Sequence, residues 1–409
     1  METRQEPNPK KIWVVIIGGT GEKTILKNKV DKNKIDINLH DELNNVNSLL
    51  AEIAEKEKLI SALENTSHGL ANTKENNEKI VEIETRRGTE ILNLGGEIDQ
   101  LTKKCDEIIK TKFYGSYEYF LPPVDCISRC HVDLVKGAPE KSLTGNEEFT
   151  YIEKFMEQLK EANPKPELLV FSGHSRGAST CIEIARRVYI EYGNSIKMDM
   201  NLSDPVPGPG KHTESKKMIP SNVESLTLAY AGKETNYLLF VPQNINKLVY
   251  DKDHTHFTAI VLPSVHRAPS PELKKINQAY WSIVHKGETV EKIEVASTEP
   301  YKIEKHRRKR IGSMTSIPDK KDLKNTKRKE FHQILQTTFQ TDNLMKAKSA
   351  ATQIEEKVEF DTPEKREEQL KQNYKLKLNK SQGLAKAQDS KESSSSDDSL
   401  HKSKKPGKK

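Results

Sequence analysis

The sequence predicts an α/β protein: a mostly parallel sheet with helices on both faces, a helical insertion, and a basic C-terminal extension. Three observations carry this. Short apolar runs (Trp13 to Ile17, Glu167 to Phe171, Phe257 to Leu262) alternate with amphipathic stretches of helical period, the pattern of buried parallel strands joined by crossover helices. One of these runs feeds a glycine-flanked serine and then, at once, a helical stretch. Apolar residues are also scarce overall, 34% against 31% charged, so part of the chain lies outside any packed core.

The first element is the strand Trp13 to Ile17, followed by the loop Gly18-Gly19-Thr20-Gly21-Glu22-Lys23-Thr24. The loop looks like a degraded phosphate-binding loop. That motif needs a glycine directly before the lysine, so that backbone amides can wrap the phosphates. Here Glu22 stands in that place, with its carboxylate aimed at the anion site, and no acid-ending partner strand follows nearby. Nucleotide binding through Gly18 to Thr24 is therefore a minor alternative.

Residues 30–111 form the insertion. Leu39, Leu43, Val46, Leu50, Ile53 and Ile60 fall on alternating steps of four and three, except that Glu57 occupies one seam position, and Ile91, Leu94, Ile98, Leu101, Cys105 and Ile108 repeat the pattern. With a break at Asn65 to Gly69, this predicts an antiparallel coiled-coil hairpin, a candidate surface for a protein partner. Gly88, Gly95 and Gly96 weaken its second helix by about 1 kcal/mol each relative to Ala. Next comes an aromatic-rich stretch, Phe113 to Leu121, expected as a strand or substrate loop. Cys126, Cys130 and His131 resemble half a metal site but lack a second ligand pair, so no metal is expected. Four cysteines in unrelated contexts give no disulfide framework.

Phe149 to Leu159 reads as the helix leading to the strand Glu167 to Phe171. That strand runs into Gly173-His174-Ser175-Arg176-Gly177 and then into Ala178, Cys181, Ile182, Ala185, Val188 and Tyr189 at helical spacing. This is the strand–turn–helix setting of a nucleophile elbow, a turn so tight that its flanking residues must lack bulk. Ser175 would be exposed on it, with the Arg176 amide aimed at a developing oxyanion. A base and an orienting acid should follow in the order acid, then His. Ile196 to Leu202 is the next strand, and Asp204 stands just past it, before a Pro/Gly run. After a strand at Val223 to Tyr230 comes Phe257 to Leu262, and His266 lies just beyond its end. His256 is the fallback base. His254 and His256 precede the strand, at the wrong end of a parallel sheet. His174 is expected to line the pocket or pack, and His285 to be structural. Pro271 to Val284 closes the domain as an amphipathic helix.

In order, these pieces resemble the uncharacterised α/β-hydrolase family that includes type VI secretion phospholipase effectors. That family opens with a strand ending in Asp-Gly-Thr-Gly, carries a Gly-Phe-Ser-Arg-Gly-Ala elbow, then Asp-Thr-Val, and later a strand ending in Gly-Val-His. This chain has Gly18-Gly19-Thr20-Gly21, Gly173-His174-Ser175-Arg176-Gly177-Ala178, Asp204-Pro205-Val206 and Ser264-Val265-His266. Tyr237 to Pro242 is similar to the family's Phe-x-Pro stretch. Gly18 departs from the family's acid, and Arg267-Ala268-Pro269 stand where glycines follow the His. The resemblance implies an α/β-hydrolase fold, with Ser175 as nucleophile, Asp204 as acid and His266 as base. It also implies a second oxyanion donor around Gly19 and Thr20, no cofactor, and ester hydrolysis with phospholipid as the favoured substrate.

The expected organisation is 1–29 for the first strand and loop, 30–111 for the insertion, 112–290 for the rest of the hydrolase domain, and 291–409 for a basic, partly disordered tail. Residues 301–409 carry 28 Lys and Arg against 16 Asp and Glu, a net of +12, while the whole chain has a net of +7. The tail includes His306-Arg307-Arg308-Lys309-Arg310, stretches of helical character at Phe331 to Lys348 and Pro363 to Leu378, and a low-complexity end from Ser390. Such charge fits an anionic membrane surface, at about 1 kcal/mol per basic residue. No base-reading motif accompanies it, which disfavours nucleic acid. No secretory or transmembrane segment is apparent, so the expected location is cytoplasmic. Glu355 to Glu368 resembles the acidic patch in translocation signals of intracellular bacterial effectors such as those of Legionella, which leaves open delivery into a host cell. The alternative to an enzyme is a catalytically inactive hydrolase-fold protein acting through the hairpin and the tail.

Overall fold

Apolar strands with no polar edge need cover on both sides, and the fold supplies it. The computed structural model describes residues 10–27, 36–66, 74–138, 146–207, 218–233, 242–245, 248–251, 253–267, 270–295 and 326–339. Six strands form one all-parallel sheet: β1 (Ile12–Ile17), β4 (Cys130–Val135), β5 (Leu168–His174), β6 (Lys197–Ser203), β7 (Val223–Ala231) and β8 (His256–Leu262). Their spatial order is β4-β1-β5-β6-β7-β8. The chain leaves β1 towards β4 and leaves β5 towards β6. The order therefore reverses between β1 and β5, and the crevice outside the carboxyl ends of these two strands is where open parallel sheets bind ligands.

Alternate residues of each strand face opposite layers. Val15 and Ile17 of β1, with Leu169 and Phe171 of β5, pack with α5 (Asn146–Glu161) and α6 (Arg176–Tyr192). Val14, Ile16 and Val170 belong to the other core. That core includes α3 (Gly115–Phe120), α4 (Val124–Ile127) and α7 (Pro271–Tyr280), which continues as a π-helical turn, Trp281–Lys286. The aromatic stretch expected as a strand or loop is therefore a short helix. Tyr117 on α3 is buried and donates its hydroxyl to Val135 O at 2.8 Å, which docks the helix on the end of β4.

A two-stranded antiparallel ribbon, β2 (Ile25–Lys27) and β3 (Asp36–Asn38), leads into α1 (Leu39–Glu64) and α2 (Lys74–Lys112). Asn38 caps α1, its side chain accepting from the His40 amide at 3.1 Å. Lys56 pairs with Glu97 at 2.5 Å and Arg87 donates to Thr66 O at 3.0 Å. Advancing along α1 thus means retreating along α2, so the two helices run antiparallel. Leu39, Leu43, Val46, Leu50, Ile53, Cys105 and Ile109 join the core beneath β1. The hairpin base is therefore continuous with the domain, and the apolar side chains left exposed, Leu59, Val81, Ile83 and Leu92, lie further out.

A domain boundary at residue 290 is too early. α8 (Thr326–Phe339) lies inside the span expected as tail, and its Phe331, Ile334, Leu335 and Phe339 are buried in the core. Arg328 binds both carboxylate oxygens of Asp199, at 2.8 and 2.9 Å, and reaches Glu224 at 2.7 Å. Tyr280 donates to Asp199 at 2.6 Å, and His332 bridges Ser225 and Thr258 at 2.9 and 2.8 Å. Helical character is expected from Phe331 onward, and the helix starts earlier, at Thr326; what net charge concealed is that its four apolar residues pack into the core. The cluster at His306 to Arg310, the stretch Pro363 to Leu378, Glu355 to Glu368 and the terminal low-complexity segment lie outside the described residues.

Two predictions follow from α8 and its neighbours. Asp199 is fully buried, so Arg328→Ala strands a charge and should lower stability by about 3–5 kcal/mol in urea denaturation. Pairing Arg328→Met with Asp199→Asn should recover most of that loss. Burial holds His332 well below the ordinary imidazole value and pushes His285 down to about 4. Below pH 6.5 the unfolded chain then binds more protons than the folded one. Stability from the neutral rings is complete above pH 6.5 and is lost as pH falls towards 4. Thermal unfolding midpoints should fall through that window, less steeply in His285→Gln and His332→Gln.

Candidate active site

Three strand ends converge on one point. Ser175 follows β5 directly, Asp204 follows β6, and His266 stands four residues beyond the end of β8. His266 Nε2 lies 2.8 Å from Ser175 Oγ, and its Nδ1 lies 2.5 Å from Asp204 Oδ2. Asp204 Oδ1 accepts the Ala231 amide at 3.2 Å, which holds the carboxylate in place. All three side chains are buried, Ser175 included at 5% exposure. The turn expected to expose the serine thus leaves little of the residue open to solvent.

The backbone explains the placement. Ser175 has φ 55° and ψ −122°, at the positive φ that L-residues rarely adopt, and Asp204 has φ 41°. Strain of this kind costs on the order of 1–3 kcal/mol and persists where neighbours over-determine it. Here Ser175 N–H donates to Ser203 O at 2.9 Å and Ser175 O accepts from Val206 at 3.1 Å. The strand after the nucleophile therefore holds the turn from both sides. A Cβ on Gly177 would sit 2.4 Å from Ile17 O and 2.5 Å from Gly18 O, and one on Gly173 would sit 2.9 Å from the Ala178 nitrogen. Both glycines are required by close backbone approach.

The first glycine-rich loop differs from expectation. Gly19 lies beside the serine, since a Cβ on it would be 3.5 Å from Ser175 Cβ. Its amide, expected as an oxyanion donor, instead donates to Glu22 Oε2 at 2.6 Å. Ser116 donates to the same oxygen at 2.6 Å through its hydroxyl, and its amide reaches Glu22 Oε1 at 3.2 Å. The loop closes on itself because Glu22 supplies the anion that its amides would otherwise take. Thr20 is solvent-exposed. Arg176 opens α6 directly after the nucleophile, which puts its amide at the position the elbow assigns to an oxyanion donor.

The other histidines separate cleanly. His254 is bound to Asp251 at 2.6 Å, and His256, at the amino end of β8, stacks on His332 with centroids 5.9 Å apart. Both lie away from Ser175, so the fallback base is not at the site. His174, expected to line the pocket or pack, is buried beside the base. Its ring lies 4.8 Å from that of His266, and burial together with the neighbouring imidazole lowers its pKa, favouring the neutral form. A neutral ring there walls the base without repelling a charged His266. The only sequence signal was its position inside the elbow. Cys126 and Cys130 are buried thiols pushed up to about 11 and about 12 by desolvation. Among the described residues no cluster of three metal-ligating side chains occurs, and no helix is long and apolar enough to cross a membrane. Tyr237 to Phe240 and Ala268 to Pro269 lie outside the described residues. No family model matches the chain, and no curated protein matches it.

Gly177→Ala should destabilise the fold by about 1–3 kcal/mol, as other overpacked sites do, because backbone carbonyls cannot retreat like side-chain tips. Gly95→Ala and Gly96→Ala meet open space and should stabilise by about 0.5–1 kcal/mol. Urea midpoints measured on the three variants check both signs.

Proposed function

We propose that the chain is a serine hydrolase of the α/β-hydrolase type, cleaving a carboxylic ester through an acyl-enzyme. The observation that carries this is the single imidazole held at 2.8 Å from a strained serine and at 2.5 Å from a buried carboxylate. On this reading His266 takes the Ser175 proton as Oγ attacks the ester carbonyl, and Asp204 fixes the tautomer and offsets the charge that appears on the ring. The Arg176 amide, directly after the nucleophile, stabilises the oxyanion. His266 then passes the proton to the leaving alkoxide, and water repeats the sequence to free the acid. Phospholipid is the favoured substrate class by family resemblance. The basic tail would bring the enzyme to an anionic surface, whether in the cell that makes it or in a host cell. The antiparallel α1–α2 pair would serve as a coiled-coil arm for a protein partner.

One observation favours a second reading. The Gly19 amide is taken by Glu22 and Ser175 is largely buried, as would suit an inactive hydrolase-fold interaction protein. The nucleotide reading loses its support at the same place, since Glu22 fills the loop. A fluorophosphonate probe separates the remaining two. The parent chain should label at Ser175, Ser175→Ala should not label, and Asp204→Asn should turn over a small ester about 10⁴-fold more slowly. Folded parent protein that resists the probe under all conditions would leave the interaction reading.

A further inference from the structure

His174, the last residue of β5, pairs in register with Ser203, the last residue of β6. Each stands directly before a triad member, His174 before Ser175 and Ser203 before Asp204. Both side chains are buried. His174 Nδ1 lies 3.4 Å from Ser203 Oγ, and the ring lies 4.8 Å from the His266 ring, tilted by 35°. The ring also hydrogen-bonds the His266 backbone. From a third side, a Cβ on Gly19 would fall 2.7 Å from His174 Cδ2, so the first loop presses on the ring edge.

Three segments distant in sequence therefore meet at one imidazole. The segment carrying His266 has most to gain from the meeting, because it lies beyond the end of β8 and not on the strand. Asp204 and Ser175 engage the two nitrogens of His266, and a drift of the segment would draw Nε2 away from Oγ. Small misplacements of reacting groups cost large factors in rate. The bond from His174 to the His266 backbone favours the charged ring, so the ring donates and the carbonyl accepts. A carbonyl only accepts and a hydroxyl can do either, so a neutral imidazole, with one donor and one acceptor nitrogen, suits both partners. Burial and the adjacent His266 favour that neutral form, against the opposing pull of Glu22 and Asp204.

Resting on the hydrolase reading, we propose that His174 is a positioning residue, which braces the segment carrying His266 against the ends of β5 and β6 and keeps Nε2 in line with Ser175 Oγ. The role differs from that of Asp204, which fixes the tautomer through Nδ1, because His174 acts on the main chain and the ring face of the base. It also differs from packing. A phenyl ring at position 174 would fill the space and bind neither Ser203 nor His266, whereas a carboxamide has a donor and an acceptor for both.

His174→Phe should therefore lower kcat for a p-nitrophenyl ester about tenfold at unchanged KM, while His174→Gln stays within about twofold of the parent. Ser203→Ala, which leaves the ring in place and removes one partner, should cost kcat about threefold. Proton NMR of the full resting chain adds a readout that needs no turnover. The His266 Nδ1 proton, held at 2.5 Å from Asp204, should resonate far downfield, identified by its loss in His266→Gln. It should shift or broaden in His174→Phe and persist in His174→Gln. Parent-like kcat and proton signal in both His174→Phe and Ser203→Ala would reduce His174 to packing and overturn the proposal. Equal losses in His174→Phe and His174→Gln, following a lowered thermal unfolding midpoint in each, would overturn it as well. A parent chain that turns over no ester while its downfield proton responds as expected would overturn the hydrolase reading and not the bracing role.

Discussion

The site depends on one close approach. Gly177, at the start of α6, lies so near the carbonyls of Ile17 and Gly18 that no side chain fits between. That contact fixes the helix against the end of β1 and forces the chain through a left-handed serine at φ 55°. Once Ser175 is there, the strand order does the rest. β6 is hydrogen-bonded to β5 and brings Asp204, β7 lends the Ala231 amide that steadies it, and the segment after β8 carries His266 across.

The two ends of the sheet have divided their work. At the carboxyl ends stand strained backbone, the largely buried Ser175 and a loop tied by Glu22. Nearer the amino ends lies a dense polar network, in which Asp199, Arg328 and Tyr280 are all buried. Buried ion pairs of this kind add little net stability over apolar contacts but are costly to break. The consequence is that α8, arriving late in the chain, is committed to the fold. It seals β6 to β8 through His332, Phe331 and Leu335 and should not be removed along with the residues that follow it.

Much of the arrangement was legible because it is written in local pattern. Strand–Gly-x-Ser-x-Gly–helix has one geometry, its motif sets the order acid then His, and placement just past a strand end picked out Asp204 and His266. Other features depend on contacts between distant residues and left no local trace. Glu22 reads as a misfit in a phosphate loop, yet it satisfies the amide of Gly19 and the side chain of Ser116 almost a hundred positions away. The aromatic run expected as a strand or substrate loop holds a short helix, docked by a Tyr117 hydroxyl that meets Val135 from eighteen positions away. The helical character of α8 is legible, but its burial is not, because charged residues surround its four apolar ones.

The central claim is that Ser175 is the atom that attacks. Rapid mixing with a p-nitrophenyl ester tests it most directly, since an acyl-enzyme that forms faster than it is hydrolysed releases one equivalent of alcohol per chain as a burst. The account predicts that burst, with the acyl group mapped by mass spectrometry to the peptide containing Ser175 and both signals absent in Ser175→Ala. Release that proceeds unchanged in Ser175→Ala, or an acyl group mapped to another residue, would contradict it.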